Sequence, residues 1–360
     1  MTEQRQLKKQ KDGLRAEYRR RKRQKALLIG LSVLLTVLLM LVFTTLGTSD
    51  TSFAGVVGAI TRTLSAGGEI TDKQDKIIML LRLPRMAMAV VAGIGLSASG
   101  AAMQAATRNP LVSPFTIGIS NAAAFGASLS IVFGIGLFSG SQLGTVFNAF
   151  LWALGCMGVV SLIAAKAGMS PSTIVLTGIA LNYLFSACTS TIEFFASEHK
   201  LAEVVQWAFG SLNGSDWQEV FVMAVVVAVC TTAMFFHAPA LNIIAGGDDE
   251  VAKSLGIHPG NVRFAVCVEA AMATAAVISF TGVIGFVGLA GPHIARIIIG
   301  SDHRYLLPFS AVMGALLMLA ADTIGRLILA PVMIPVGIVI SFLGVPIFVN
   351  LILVQRKGSV

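Results

Sequence analysis

"VFVMAVVVAVCTTAMFF", residues 220–236, carries no charged side chain and is apolar almost all round. A strand of a membrane barrel would alternate apolar and polar residues in runs of about ten. This run does not alternate, and with the three residues before it, it forms a stretch, 217–236, of the ~20 residues a helix needs to cross a ~30 Å hydrocarbon layer. Hydrocarbon offers no partner for backbone polar groups, so the segment must satisfy them internally as a helix. Comparable runs lie to either side, at 26–46, 79–105, 115–136, 146–167, 172–192, 262–281, 283–300, 305–326 and 334–354. The sequence therefore predicts an all-α integral membrane protein with ten transmembrane helices. Composition agrees. With 55% hydrophobic and 12% charged residues and a mean hydropathy of +0.82, the chain lies far from the roughly 25% charged residues of soluble domains.

Charge sets the topology. The stretch "KKQKDGLRAEYRRRKRQK", residues 8–25, precedes an apolar run too long for a signal peptide and followed by no small-residue cleavage site. It reads as a retained basic tail, 1–25, holding 11 of the 26 Lys and Arg. The positive-inside rule puts this tail in the cytoplasm, and an even number of spans returns the C-terminal "QRKGSV", 355–360, to the same side. Between the tails lies a ten-helix domain, 26–354. The net charge of +8 is thus a topology signal and a contact with the membrane surface. Tyr18 is the tail's single aromatic residue, and no interleaved aromatics or sequence motif accompany the charges to suggest nucleic-acid binding.

Several chemistries find no support. Cys156, Cys188, Cys230 and Cys267 fall singly within spans, as small packing residues with no disulfide or metal spacing. The five histidines are scattered and form no H-E-x-x-H cluster. No catalytic group, metal site or cofactor is expected. The chain also lacks the G-x-x-x-x-G-K-[ST] phosphate loop, so any P-loop hydrolysis of ATP must belong to another subunit. Glycines of "GVIGFVGLAG", 282–291, read as close helix contacts.

Two features stand out from the bundle. In "LLRLPRMAMAVVAGIGLSASG", 80–100, Arg82 and Arg85 flank Pro84 just before a run of small apolar residues. With Arg326 they are expected at helix ends on the outer face, either as snorkelling anchors or as a docking site for carboxylates, which suit the guanidinium fork. The second feature is "HAPALNIIAGGDDEVAKSLGIHPGNVR", 237–263, the longest polar interruption within the bundle. "DDEVAKSLG" predicts a short helix with acidic residues at its N-terminus, where the helix dipole favours them, ended by Gly256. It reads as an ordinary loop or as a knob that fits a cytoplasmic partner. Glu193, Glu269 and Asp322, the ionisable groups near spans, are expected towards helix ends. That argues against an ion-coupled secondary transporter, which usually places such groups near mid-membrane.

Nine ordered segments carry a resemblance: "RLPR" (82–85), "SGAAMQAATRNPLVSPFTIGISNAA" (99–123), "GIALNYL" (178–184), "WAFGSL" (207–212), "EVAKSLG" (250–256), "GFVGLAGPHIAR" (285–296), "DHRYLLP" (302–308), "GALLMLAADTIGR" (314–326) and "IPVGIVISFLGVPIFVNLIL" (334–353). In order and spacing the chain resembles the permease subunit of iron-chelate ABC importers, a family that includes the vitamin B12 permease. The resemblance runs from about residue 26 to the C-terminus and leaves out the basic tail and an outer loop at 47–76. It implies a vitamin B12-permease-like, type II importer bundle with no catalytic activity of its own. It also implies a second permease subunit, identical or related, two cytoplasmic ATP-binding subunits and an extracytoplasmic substrate-binding protein, with an iron-siderophore complex as cargo and cobalamin or haem as alternatives. Family positions carry over to Arg82, Arg85 and Arg326 for docking the binding protein, and to a coupling segment, 241–260, in which Glu250, Ala252, Leu255 and Gly256 meet the ATPase. A cytoplasmic gate maps to Asn109, Leu111, Ser172 and Thr173.

Overall fold

The computed structural model describes residues 2–47, 51–65, 68, 70, 72–138 and 141–357. The last three residues of the expected C-terminal tail, 358–360, and outer-loop positions 48–50, 66, 67, 69 and 71 lie outside the described residues.

Regular structure among the described residues is helical throughout. Among the described residues, seven helices are long and apolar enough to span a membrane. They include α1 (Thr2–Thr45), preceding a short α2 (Phe53–Ser65), and a continuous rod of α3 (Lys73–Lys76), a π-helical stretch (Ile77–Arg82) and α4 (Leu83–Thr107). After α5 (Ile119–Phe133) come α6 (Gln142–Lys166) and α7 (Pro171–Phe195), then α8 (Glu198–Ala208) and α9 (Trp217–Phe236). Short α10 (Ala238–Gly246) and α11 (Asp249–Ser254) lead into α12 (Pro259–Thr281), and α13 (Val287–Ile299), α14 (His303–Leu327) and α15 (Val336–Lys357) complete the chain.

Seven of the ten expected spans coincide with these long helices. The expected spans 115–136 and 283–300 instead hold shorter apolar helices, Ile119–Phe133 and Val287–Ile299, whereas the expected span 334–354 falls on α15, which begins at Val336. The chain before each of the first two is broken. Gly118 at φ 87° and Phe286 at φ 63° take the left-handed conformation immediately ahead of α5 and α13. The basic tail, in contrast, continues the first span without a break, so that α1 has 44 residues and runs about 66 Å at 1.5 Å per residue.

α4 is the central rod, packed against α9, α12, α13 and α14. Small residues make this possible. A Cβ on Gly100 would lie 1.8 Å from the carbonyl oxygen of Gly288, and one on Gly93 would lie 2.3 Å from that of Gly314. Backbones touch there, as in membrane helices that gain stability by close packing.

The bundle has two distinct ends. At the tail end, Lys25 lies over the Tyr305 ring, and the turn after α4 meets α10 and α11. At the far end, Trp217 donates to the Met79 carbonyl and Arg326 to that of Leu46.

Candidate functional site

Between the ends lies a cleft of about 860 Å³, bordered by Phe115, Thr116, Asn182, Phe209, Phe286 and Ser341 among others. Among the described residues, no titratable side chain lines it. Backbone geometry shapes its wall. Phe286 sits in a left-handed conformation that costs a non-glycine residue about 1–2 kcal/mol, and Gly344 leaves room for its ring, since a Cβ there would come within 2.9 Å of it. Beside the cleft the chain crossings are closed by glycine. A Cβ on Gly282 would lie 2.2 Å from the Trp207 oxygen, and one on Gly337 would lie 2.4 Å from that of Phe209. A cleft of this character has room for a bulky, weakly polar solute, and its described lining offers no group to carry a proton.

At the far end, two of the three arginines converge on one carboxylate that sequence reasoning placed merely near a helix end. Arg85 donates through Nε to Asp322 Oδ1 at 2.9 Å, and Arg326 through Nε to Oδ2 at 3.0 Å. The Asp322 side chain is fully buried, and those of Arg85 and Arg326 are 13% and 8% exposed. Arg85 also donates to Asn213, and Arg326 to the Leu46 carbonyl at 2.9 Å. Arg82 turns towards the C-terminus of α1 and donates to the carbonyls of Thr44 and Thr45 and the Thr51 hydroxyl, at 2.9, 3.3 and 3.1 Å. All three are therefore held by the chain itself. One acid between Arg85 and Arg326 leaves that pair with a net positive charge.

At the tail end, α4 stops at Arg108, its left-handed C-cap at φ 52°. Asn109 Oδ1 then accepts from the Leu111 N–H at 3.0 Å and tightens the turn, leaving Leu111 52% exposed. Ser170 caps α7 by accepting from the Thr173 N–H at 3.2 Å, and its hydroxyl lies 3.2 Å from that of Ser172. Ser172 is exposed and Thr173 partly buried. The two expected gate elements touch just beyond these residues, where a Cβ on Gly178 of α7 would lie 2.6 Å from the Ile117 Cα.

The expected coupling segment forms α10, α11 and the start of α12. Ala252 is buried against the bundle, whereas Val251 and Leu255 are 51% and 61% exposed. Glu250 points outward and accepts from Lys253 at 2.9 Å. Gly256, at φ 78°, supplies the left-handed turn after α11.

What sequence reasoning missed here is Asp249. Its carboxylate receives both terminal nitrogens of Arg263, each at 2.7 Å, and Arg108 Nη2 at 2.5 Å. Hydrogen bonds from Arg263, reinforced by the charge of Arg108, hold its carboxyl below the usual carboxylate range. Glu269 departs from expectation in another way. It lies in the middle of α12, facing His237 at the end of α9 at 3.2 Å.

Comparison with known proteins bears on the whole chain. The FecCD transport family model matches residues 32–354. A protein of Methanocaldococcus jannaschii named an ABC transporter permease is 38% identical over 342 residues, covering 93% of this chain and 96% of that protein. The Fe(3+)-citrate import permease YfmD of Bacillus subtilis is 36% identical over 287 residues, 80% of this chain and 83% of its own. Two relatives carry other cargo names. The hemin transport permease HmuU of Yersinia pestis is 33% identical over 335 residues, 93% and 97% of the two chains. The molybdate import permease MolB of Haemophilus influenzae is 32% identical over 336 residues, 92% and 97%. Among solved structures, an inward-facing metal-chelate type ABC transporter superposes with a TM-score of 0.80 at 30% identity, over 90% of this chain and 98% of that one.

Proposed function

The chain belongs to the FecCD transport family, and from that premise we propose that it is the membrane-spanning subunit through which a ferric siderophore complex enters the cell. It is an ABC importer permease and a multi-pass membrane protein. The observation that carries the cargo assignment is the large cleft whose described lining holds no titratable side chain, taken with relatives named for iron chelates. A chelate hides its metal behind organic ligand atoms, so it needs room and weakly polar walls. Those walls also speak against ion coupling, which needs a titratable group on the path.

In this reading two ATP-binding subunits sit on the tail end, a second permease completes the path and a binding protein docks at the far end. Both termini are cytoplasmic. The outward face of α11, with Glu250 and Leu255, seats in the ATPase, while buried Ala252 and the Gly256 turn hold that face in place. Asn109 and Leu111, with Ser172 and Thr173, close the path below the cleft. Arg82, Arg85 and Arg326 present positive charge to acidic side chains of the binding protein, and Asp322 holds two of them in position.

Reconstituting the permease with its ATPase and binding protein tests the proposal. Uptake of radiolabelled ferric hydroxamate is expected to require ATP and the binding protein, with ferric citrate, haemin, cobalamin and molybdate as competitors. Preferred uptake of molybdate or haemin would overturn the cargo. Uptake driven by an ion gradient without ATP would overturn the energy source. Docking is best tested from the partner's side, by reversing an acidic residue on the binding protein, because substituting Arg85 also disturbs Asp322.

A further inference from the structure

Arg263 is fully buried at the base of α12, yet no acid within its own helix turn neutralises it. Its Nε donates to the Ala106 carbonyl at 2.9 Å, in the last turn of α4. Its two terminal nitrogens grip Asp249, the first residue of α11, in a bidentate pair at 2.7 Å. Arg108, two residues beyond Ala106, reaches the same carboxylate from the turn that carries Asn109 and Leu111, and its Nε fixes the Ile244 carbonyl of α10 at 2.6 Å. One carboxylate thus ties three pieces of chain: the partner-facing helix α11, the foot of α12 14 residues on, and the turn after α4, 141 residues away in sequence.

The backbone at Arg108 adds a second observation. It holds φ 52°, a conformation that glycine or asparagine would adopt with less strain. Local stability alone does not call for an arginine here, whereas a side chain that must reach α11 does.

We propose that Asp249, clamped between Arg108 and Arg263, is the positioning residue that transmits movement of α11 to the turn at 109–111. The link rests on the gate and coupling reading given above. When the ATPase displaces α11, the paired charges carry the turn with it. Separating them would strand Arg263 as an unpaired buried charge, so the three move as one body. The foot of α12 joins in: Gly260 packs on Met169 of the loop before α7, which leads to Ser172 and Thr173.

The test uses the full permease assembled with its ATPase. Arg108→Gly removes the direct bond between Asp249 and the turn while easing the backbone, and Arg263 keeps both Asp249 and the Ala106 carbonyl, so folding and assembly are expected to stay intact. A spin label at Leu111→Cys, with half-buried Cys188 replaced by Ser, reports the turn directly and needs no cargo. The wild-type background is expected to show a nucleotide-dependent change at the label, and Arg108→Gly is expected to lose it. ATP hydrolysed per chelate imported should rise about tenfold, the scale of one lost charge-assisted hydrogen bond. Arg108→Lys, which keeps the charge without the fork, should fall between. A wild-type response at the label in Arg108→Gly would overturn the proposal. So would loss of ATPase binding in that variant, since Arg108 would then be an assembly contact. A label that ignored nucleotide in the wild-type background would remove the gate reading and the link with it, whereas absent uptake with an intact label response would count only against the cargo.

Discussion

Each end of the bundle is organised around one aspartate between two arginines, and the two arrangements differ in what they join. At the far end, Asp322 and Arg326 are four residues apart on α14, and Arg85 belongs to α4, the helix against which α14 packs most extensively. All three side chains are nearly or fully buried. At the tail end, Asp249 is 36% exposed, and its arginines come from the turn after α4 and the foot of α12. The same chemistry therefore fixes two packed helices at one end and joins separate pieces of chain at the other. Burial decides which role is available: a triad sealed from water cannot exchange partners cheaply, while a half-exposed carboxylate can travel with the short helix that bears it.

Making one substitution at both sites breaks the comparison open. Asp322→Asn leaves Arg85 and Arg326 facing each other without an acid, and disrupting a buried pair in this way costs about 3–5 kcal/mol. It is expected to give the largest fall in the thermal unfolding midpoint of the purified permease in detergent. Asp249→Asn should cost less, about 1.5–3 kcal/mol, because the carboxylate is 36% exposed and the buried Arg263 keeps its hydrogen bond to the Ala106 carbonyl. If Asp249→Asn destabilised the protein more than Asp322→Asn, the tail-end clamp would be the structural one and the contrast would be reversed.

Acid sharpens the tail-end half. The folded-state carboxyl of Asp249 lies below its ordinary value of 3.8, so its contribution is fully present above that value and disappears as pH falls through the lowered one. The difference in unfolding midpoint between wild type and Asp249→Asn should therefore stay constant from about pH 8 to pH 5 and close only in stronger acid. A difference that varied across the neutral range would point to another titrating group.

How much of this was legible beforehand follows from the range of each signal. Long apolar runs announce helices because the membrane leaves the backbone no other solution, and α9 and α12 lie within a few residues of their expected limits. The shorter helices α5 and α13 were overextended, since hydropathy does not register the left-handed residues Gly118 and Phe286 that delay their starts. Asp322 could have been found, because "DTIGR" sets it four residues before Arg326, the spacing of a helical ion pair. Asp249 could not be found in this way. Its partners lie 14 and 141 residues distant, and only the packing of α4 against α12 brings them together. In "DDE" the last acid, Glu250, attracts notice as a partner contact, while the one before it holds the fold.

The smallest effect on stability is expected at the face of α11 turned away from the bundle, and there the comparison has most to say about function. The pair of Glu250 with Lys253 joins side chains 84% and 55% exposed, and pairs of that kind contribute about 0.2–1 kcal/mol at most. Leu255 is 61% exposed, so replacing it opens no cavity. Glu250→Lys combined with Leu255→Trp should leave the unfolding midpoint of the isolated permease almost unchanged, within the roughly ±0.5 kcal/mol typical of surface substitutions. Uptake by the assembled importer should nevertheless collapse, because a charge reversal and a bulky ring would stand where the ATPase is proposed to seat. Asp249, one residue from Glu250, gives the control: its loss should lower both stability and transport, whereas the outward face should lower transport alone. Wild-type uptake by the double variant at equal expression would mean that α11 faces no partner. The clamp at Asp249 would then have nothing to transmit and would stand as a fastening of the fold, the tail-end equivalent of Asp322.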